Sequence, residues 1–331
     1  MTFQDNQEKQ YREFLERKHN AWQTASGLIE ECVLQGSGSP LQEIERIVEG
    51  EVHEVYGVQT QDGQRLILRI SHSEWPRFED EKWAIEAVRQ QGVTAPEVLS
   101  LTNKELAGKN VAMCLEQEVP GSSLRKLFPS LSEWKRVEIL SHVGKVLSQI
   151  HEVQTPYYGW DFLGDWQKFT SWSEYLESML PQDRLLEVLD RHELDPKLYW
   201  HTRDILSTHS FLFQLNYPHL LHGDCTSKHF FVDEGVLSGV IDLESARGGD
   251  PIFDFAWWDF FESTYPAESI VPGYGHPEWL TNFEEKLAAY KAVIGASLLD
   301  YYDAENNIPV LRATAQKVKR ILASLETTRK L

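Results

Sequence analysis

The residues able to do chemistry gather in one stretch, Leu220 to Phe260, LLHGDCTSKHFFVDEGVLSGVIDLESARGGDPIFDFAWWDF. Asp224 follows His222 and Gly223, His229 stands five positions after Asp224, and Asp242 closes an apolar run with Glu244, Gly249, Asp250 and Asp254 behind it. Phosphoryl transfer from a nucleotide needs these residue types. A carboxylate must orient the attacking hydroxyl and accept its proton, and two ligands must hold the Mg²⁺ that bridges the phosphates. Asp224 suits the first task, and His229 with Asp242 the second.

Such groups need elements that bring them together. Phe230, Phe231 and Val232 are strand formers, Asp233-Glu234-Gly235 supplies a turn, and Val236 to Ile241 alternates as a second strand. A hairpin of that length joins its outer ends, which sets His229 beside Asp242 with Asp224 on the loop before them. Cys225 adjoins Asp224, but no base is at hand to activate it, so it reads as a small loop residue.

The pattern HGD, a ligand five residues on, then IDLESARGGDPIFDFA resembles the aminoglycoside phosphotransferase family, in which HGD is followed five positions later by Asn and then by D-x-[ED], GDP and an Asp. His229 departs from the usual Asn. Some aminoglycoside-modifying members also carry His there, and a neutral imidazole is a poorer Mg²⁺ ligand than an amide oxygen. The resemblance covers about Ile44 to Trp258. It implies Glu244 as an outer or second-ion metal residue. His222, Asp250 and Asp254 become supports of the loop, with His222 anchoring backbone carbonyls and Gly223 permitting the turn.

Upstream, Phe3 to about Gln35 has a helical stripe of Tyr11, Phe14, Leu15, Ala21, Trp22, Ile29 and Val33, broken by Gly36-Ser37-Gly38-Ser39-Pro40. Strands are expected at Ile44 to Val48, Val52 to Gln59 and Arg65 to Ile70, with Asp62-Gly63 as a turn, and two more follow, the last being Val111 to Glu116. The resemblance places Gly50 in the phosphate-covering turn, although one glycine is not a G-x-G-x-x-G motif. It sets Arg69 where a strand lysine holds the α- and β-phosphates, with Glu81, on the helix Arg77 to Gln91, as its acid partner. Glu116 to Gly121 resembles the hinge whose backbone meets the nucleotide base, so Glu116 and Glu118 are placed in the nucleotide site.

Past the hinge the chain is mainly helical. Leu131 to Val153 is amphipathic, with Val137, Leu140, Val143, Val146, Leu147 and Ile150 inward and His151 as a packed helix-end residue. The segment around Gly159, Gly164, Phe169, Thr170 and Trp172 resembles family members that modify aminocyclitol antibiotics. Asp259 and Glu262, with Trp258, offer a wall for a cationic substrate; an amphipathic helix with a solvated acid face explains them equally well. Asp161 and Asp165 are further candidates. Pro277 to Leu331 is read as helical packing without chemistry.

The chain has 331 residues, 51 acidic and 32 basic, for a net charge of -19. That balance argues against nucleic acid or an anionic membrane as partner and suits a cationic substrate, while serving solubility equally well. Cys32, Cys114 and Cys225 are far apart and form neither a disulfide framework nor a zinc pattern. No apolar segment has the length of a signal or span, so a cytoplasmic protein is expected.

The expected fold is α+β and two-lobed like a protein kinase, with a small antiparallel β-sheet N-lobe and a larger, mainly helical C-lobe. The division expected is a helical extension over 1–40, a nucleotide-binding lobe over 41–115 and a helical lobe over 116–331. The expected activity is ATP- or GTP-dependent, Mg²⁺-dependent transfer of the γ-phosphate to a hydroxyl of a small molecule, with an aminocyclitol such as hygromycin B first among acceptors. A metabolite kinase and a nucleotide-binding protein with little catalysis are the alternatives. A protein kinase is disfavoured because no D-F-G or A-P-E follows the loop.

Overall fold

A computed structural model describes residues 15–328 apart from 21, 49, 51, 74, 107–108 and 164–166. The chain divides into two compact units. The first comprises 1–89, 94–120 and 239–244; the second comprises 90–93, 121–238 and 245–331.

In the first unit, helix α1 (Ser26–Ser37) precedes strands β1 (Leu41–Ile47), β2 (Glu54–Thr60) and β3 (Arg65–Ser71), helix α2 (Phe78–Gln90), and strands β4 (Val98–Leu106) and β5 (Lys109–Gln117). The strands form one antiparallel sheet in the order β1-β2-β3-β5-β4. Period-two alternation divides β3 and β5 between two faces. Leu66, Leu68, Ile70, Val111, Met113 and Leu115 pack against Ile29, Cys32 and Val33 of α1. Arg69, Cys114 and Glu116 point the other way, where Phe78 of α2 packs on Ala112 and Cys114. The sequence parity therefore puts Arg69 and Glu116 on one face.

The expected single amino-terminal helix is interrupted. Residues 15–20 are helical, 22–25 are not, and α1 begins afresh at Ser26; Tyr11, Phe14 and Ala21 lie outside the described residues. α1 ends where expected, with Gly38 in the left-handed conformation at φ 75°. A side chain at Gly36 would meet Ser100 Oγ at 2.3 Å, so glycine there lets the helix lie on the sheet.

In the second unit, helices α3 (Glu133–His151), α4 (Trp172–Ser178), α5 (Gln182–Arg191), α6 (Lys197–Thr208), α7 (Ile252–Phe261), α8 (Phe283–Ala304) and α9 (Ile308–Thr328) surround short strands. Ser132 caps α3 by accepting from Lys135 N–H. Its buried stripe is Ile139, Leu140, Val143, Leu147 and Ile150, whereas Val137, expected inward, is exposed. At 100° per residue, position 137 falls off the line that 140, 143 and 147 draw.

Strand β6 (Ser122–Ser123) pairs with β8 (Phe230–Asp233), while β7 (His219–Leu221) pairs antiparallel with β10 (Arg247–Gly249). β9 (Val236–Val240) completes the expected hairpin with β8. Glu234 at φ 47° and Gly235 at φ 79° give its turn the two positive φ angles that match strand twist. Among the described residues, no helix is long and apolar enough to cross a membrane.

Candidate active site

The loop that leaves β7 carries His222-Gly223-Asp224, and a buried carboxylate fixes its backbone. Asp254, on α7, accepts from Gly223 N–H at 2.9 Å through Oδ1 and from His222 N–H at 2.7 Å through Oδ2. His151 donates to the same Oδ2 at 3.0 Å, and its other ring nitrogen meets the Tyr274 hydroxyl at 2.8 Å. Burial pushes the Asp254 carboxyl up, but the His151 hydrogen bond, the two neighbouring imidazoles and the Gly223 N–H outweigh it and hold the group below its ordinary value. Gly223 is obligatory: its φ is 81°, and a Cβ would sit 1.9 Å from Ser245 O. His222 braces the loop through its Nδ1, which accepts from Asp224 N–H at 3.4 Å.

Asp250 starts α7 by accepting from Ile252 N–H at 3.0 Å, and its other oxygen takes Lys286 Nζ and Tyr290 OH, both at 2.7 Å. Those partners belong to α8, so the carboxy-terminal helices do more than the passive packing expected of them. Arg247, fully buried, donates to Gly223 O at 3.1 Å and to Tyr175 OH at 2.9 Å, with its guanidinium 3.7 Å above the Trp160 ring.

Neighbouring side chains hold the Asp224 carboxylate. Its Oδ1 accepts from Trp257 Nε1–H at 2.7 Å, and its Oδ2 lies 3.2 Å from Lys228 Nζ and 3.8 Å from His229 Nε2. His229 Nδ1 lies 2.8 Å from Asp224 O. A carbonyl only accepts, so Nδ1 is the donor in that bond. Cys225, buried beside Asp224, has its thiol pushed well up by burial and by the Asp254, Asp224 and Glu262 charges, which suits the inert role expected.

In the first unit, Arg69 is buried amid acids. Its Nη2 lies 2.5 Å from Glu81 and 3.2 Å from Glu116, and its Nη1 lies 3.9 Å from Asp242. Burial raises the Glu81 carboxyl to about 8 against the pull of Arg69, and burial also raises Glu116. Arg69 Nε and Glu81 Oε1 are buried without a hydrogen-bond partner, as befits a pair that a further polar ligand completes. Asp242 holds a positive φ of 64°, a strained geometry that Asp tolerates better than most residues.

Several sequence expectations need correction here. Glu116 partners Arg69 through its side chain, and the Glu118 backbone N–H is spent on Arg65 O at 3.1 Å while its carboxylate pairs with Arg65, so neither presents these groups to a base. Glu244 accepts from His53 Nε2 through Oε2. Gly50 has no positive φ and open space around a virtual Cβ; its carbonyl meets His19 Nε2 at 2.7 Å, so no close approach demands glycine.

The proposed substrate wall is spent inside the fold. Asp259 pairs with Lys291 at 2.6 Å and caps Ala267 N–H, and Glu262 takes Arg125 at 2.7 Å together with Ser227. Trp258 is fully buried and donates to Tyr265 O. Asp161 is likewise buried and accepts from Gln167 N–H, whereas Asp165 and Gly164 lie outside the described residues. Trp257, one position from Trp258, is the tryptophan that bonds Asp224; only the 100° step of α7 distinguishes them.

The His229 imidazole in the second unit and the Asp242 carboxylate in the first are each of a type that divalent cations accept. Oxygen and imidazole nitrogen together fit a hard or borderline ion.

No curated protein matches the chain in sequence. Solved structures match in fold. The thermostable aminoglycoside phosphotransferase APH(4)-Ia, in a ternary complex with ADP and hygromycin B, gives a TM-score of 0.69 at 18% identity over 89% of this chain and 98% of that one. The gentamicin complex of APH(2")-IIa gives 0.63 at 15% identity over 91% and 97%. A putative fructosamine-3-kinase from Thermobifida fusca gives 0.63 at 15% identity over 88% and 98%. The profile of the phosphotransferase enzyme family, APH, matches residues 43–279, most of the chain. The chain therefore belongs to that family and is a small-molecule phosphotransferase of the α+β, kinase-like fold.

Proposed function

We propose that the protein moves the γ-phosphoryl group of ATP, or of GTP, to a hydroxyl of a small aminocyclitol or aminoglycoside, and that it does so with Mg²⁺ or a related divalent cation. The observation that carries the mechanism is the partly exposed Asp224 carboxylate, whose Oδ1 is pinned by Trp257 at 2.7 Å while Oδ2 lies 3.2 Å from Lys228 Nζ. A carboxylate held by one oxygen presents the other to a hydroxyl in a fixed direction, and such positioning supplies much of the catalysis in phosphoryl transfer.

Asp224 Oδ2 accepts the acceptor hydroxyl's proton as the hydroxyl oxygen attacks the γ-phosphorus and the nucleoside diphosphate leaves with the bridging oxygen and its bonding electrons. Lys228 Nζ, now against that oxygen, provides positive charge next to the developing negative charge. His229 and Asp242 are the proposed cation ligands, and Arg69, braced by Glu81, the proposed phosphate contact. The bound cation supplies neutralisation of the nucleotide's phosphate oxygens.

The acceptor class rests on two supports: the aminoglycosides bound by structurally similar proteins, and a net charge of -19 that attracts cations. Antibiotic resistance would be the physiological result. A metabolite acceptor is favoured by the fructosamine-3-kinase likeness and by the inward pairing of Asp259 and Glu262. A cytoplasmic setting suits three buried, free cysteines.

The test is nucleotide consumption by the purified protein with ATP or GTP and Mg²⁺ across hygromycin B, other aminoglycosides, fructosamines, sugars and amino alcohols. Acceleration by an aminocyclitol supports the proposal, acceleration only by a sugar or fructosamine moves it to metabolism, and nucleotide binding without turnover on any acceptor overturns the antibiotic reading. Asp224→Asn should abolish turnover while nucleotide still binds by calorimetry; retained turnover, or lost binding, would remove Asp224 from its role.

A further inference from the structure

We infer that the residues ahead of α1, 15–20 and 22–25, are a strap that sets the β1–β2 turn for the nucleotide's phosphates, with His19 as its positioning residue. The inference rests on the phosphotransfer reading above, in which Arg69 is the phosphate contact. The strap precedes the segment 43–279 that the family profile matches.

Strand register places the turn. Residues 48–53 join β1 to β2, and Val55 of β2 stands directly opposite Arg69 of β3. His53, which ends the turn, lies against Phe78 with ring centroids 5.0 Å apart, and the Arg69 guanidinium lies 5.2 Å from the centre of the same ring. A turn so placed borders whatever Arg69 holds.

The turn packs on little of its own. Val48 and Val52 are exposed, and no neighbour lies within 4 Å of where a Gly50 Cβ would be. Polar ties hold it instead. The buried His19 donates from Nε2 to Gly50 O at 2.7 Å, and His53 bonds Glu244. The strap is in turn fixed to the sheet: Arg46 Nη2 donates to His19 O at 2.6 Å and to Trp22 O at 3.0 Å. Thr24 Oγ1 donates at 2.7 Å to Oε2 of the buried Glu54, the first residue of β2. Burial pushes the Glu54 carboxyl up, but hydrogen bonds from Tyr56, Thr24 and His72 outweigh it and hold the group below its ordinary value. The strap thereby pins the middle of the turn and its exit to one frame.

A competing account makes the strap only a cover for the sheet. Ile29, Cys32 and Val33 of α1 already pack on that face, whereas the strap's bonds are polar and converge on Gly50 and Glu54. A turn ordered beforehand loses less entropy when a ligand binds, so the strap's effect belongs in the affinity for phosphates.

The experiment uses the full chain with Mg²⁺. Calorimetry measures a non-hydrolysable ATP or GTP analogue, whichever the parent binds, and ligand-observed NMR measures the matching nucleoside, which carries no phosphate. His19→Phe keeps a ring without the N–H, and His19→Gln restores a donor. In His19→Phe the analogue should bind roughly three- to tenfold more weakly, the scale of one neutral hydrogen bond. Nucleoside binding should be unchanged and His19→Gln close to the parent. Thr24→Val, which removes the tie to Glu54, should act in the same direction and serves where His19→Phe does not fold. Analogue affinity unchanged in the variants that fold, equal losses in His19→Phe and His19→Gln, or nucleoside affinity falling in step overturns the inference and leaves the phosphotransfer reading standing. A parent chain that binds neither analogue overturns both.

Discussion

Replacing Trp257 by Phe removes one N–H and keeps an aromatic ring against Phe253 and Phe261, whose centroids lie 6.2 and 5.5 Å away. What is lost is the 2.7 Å bond to Asp224 Oδ1. A hydrogen bond to an ionised carboxylate contributes about 1.5–3 kcal/mol. If its task is to aim the base, the loss falls on the transition state and lowers kcat by roughly 10- to 150-fold. Nucleotide binding should be unaffected, because none of the nucleotide residues proposed above touches Trp257. The assay is steady-state kinetics on whichever acceptor the screen yields, with calorimetry for nucleotide and a circular dichroism melt to confirm the fold. Trp257→His, which retains an N–H, should recover part of the rate. An unchanged kcat with a raised KM for nucleotide would refute the reasoning, since it would make Trp257 a binding residue. Equal losses in Trp257→Phe and Trp257→His would reduce its role to shape.

Other consequences are open to measurement. Glu81, raised to about 8 in the fold against an ordinary 4.5, binds more protons folded than unfolded between those values, so it lowers stability as pH rises through that window. Glu81→Gln should flatten the decline in melting temperature from about pH 5 to 8; a slope identical to the parent's would show that the group titrates normally. Gly223→Ala places a Cβ 1.9 Å from Ser245 O and should abolish turnover even where protein folds, as read by activity per folded molecule; an active variant would show the loop to be yielding. Lys286→Met leaves the buried Asp250 charge with Tyr290 and loses about 3–5 kcal/mol in urea denaturation. A change within about 1 kcal/mol, on the order of a surface substitution, would show that the Lys286 bond contributes little to holding Asp250.

Much of the site was legible because its chemistry is encoded locally. Asp224, its glycine turn, and the hairpin from Phe230 to Val240 depend on neighbours in sequence. What escaped was set by distant partners. Asp259 and Glu262 look like a free acidic face until Lys291, and Arg125 with Ser227, are seen to meet them. The bond between Glu244 and His53, far upstream, leaves no sign in the sequence. Trp257 and Trp258 are adjacent and identical in type, and one helical step decides which donates to Asp224. The break after residue 20 carries no Pro or Gly to announce it.

The Asp250 arrangement also bears on how the protein is made. Asp250 starts the helix that carries Asp254 and thus the catalytic loop, yet its ammonium and phenol partners, Lys286 and Tyr290, are encoded 36 and 40 residues later. A chain emerging from the ribosome amino terminus first can complete the sheet unit's strands while that carboxylate is still bare. Until α8 clears the exit tunnel, the loop lacks its lock. The nascent chain is therefore without a finished His222-to-Asp224 loop for the closing stage of its own synthesis, and a stall or cleavage between Phe261 and Lys286 would release a chain whose five-stranded sheet is complete and whose loop is not.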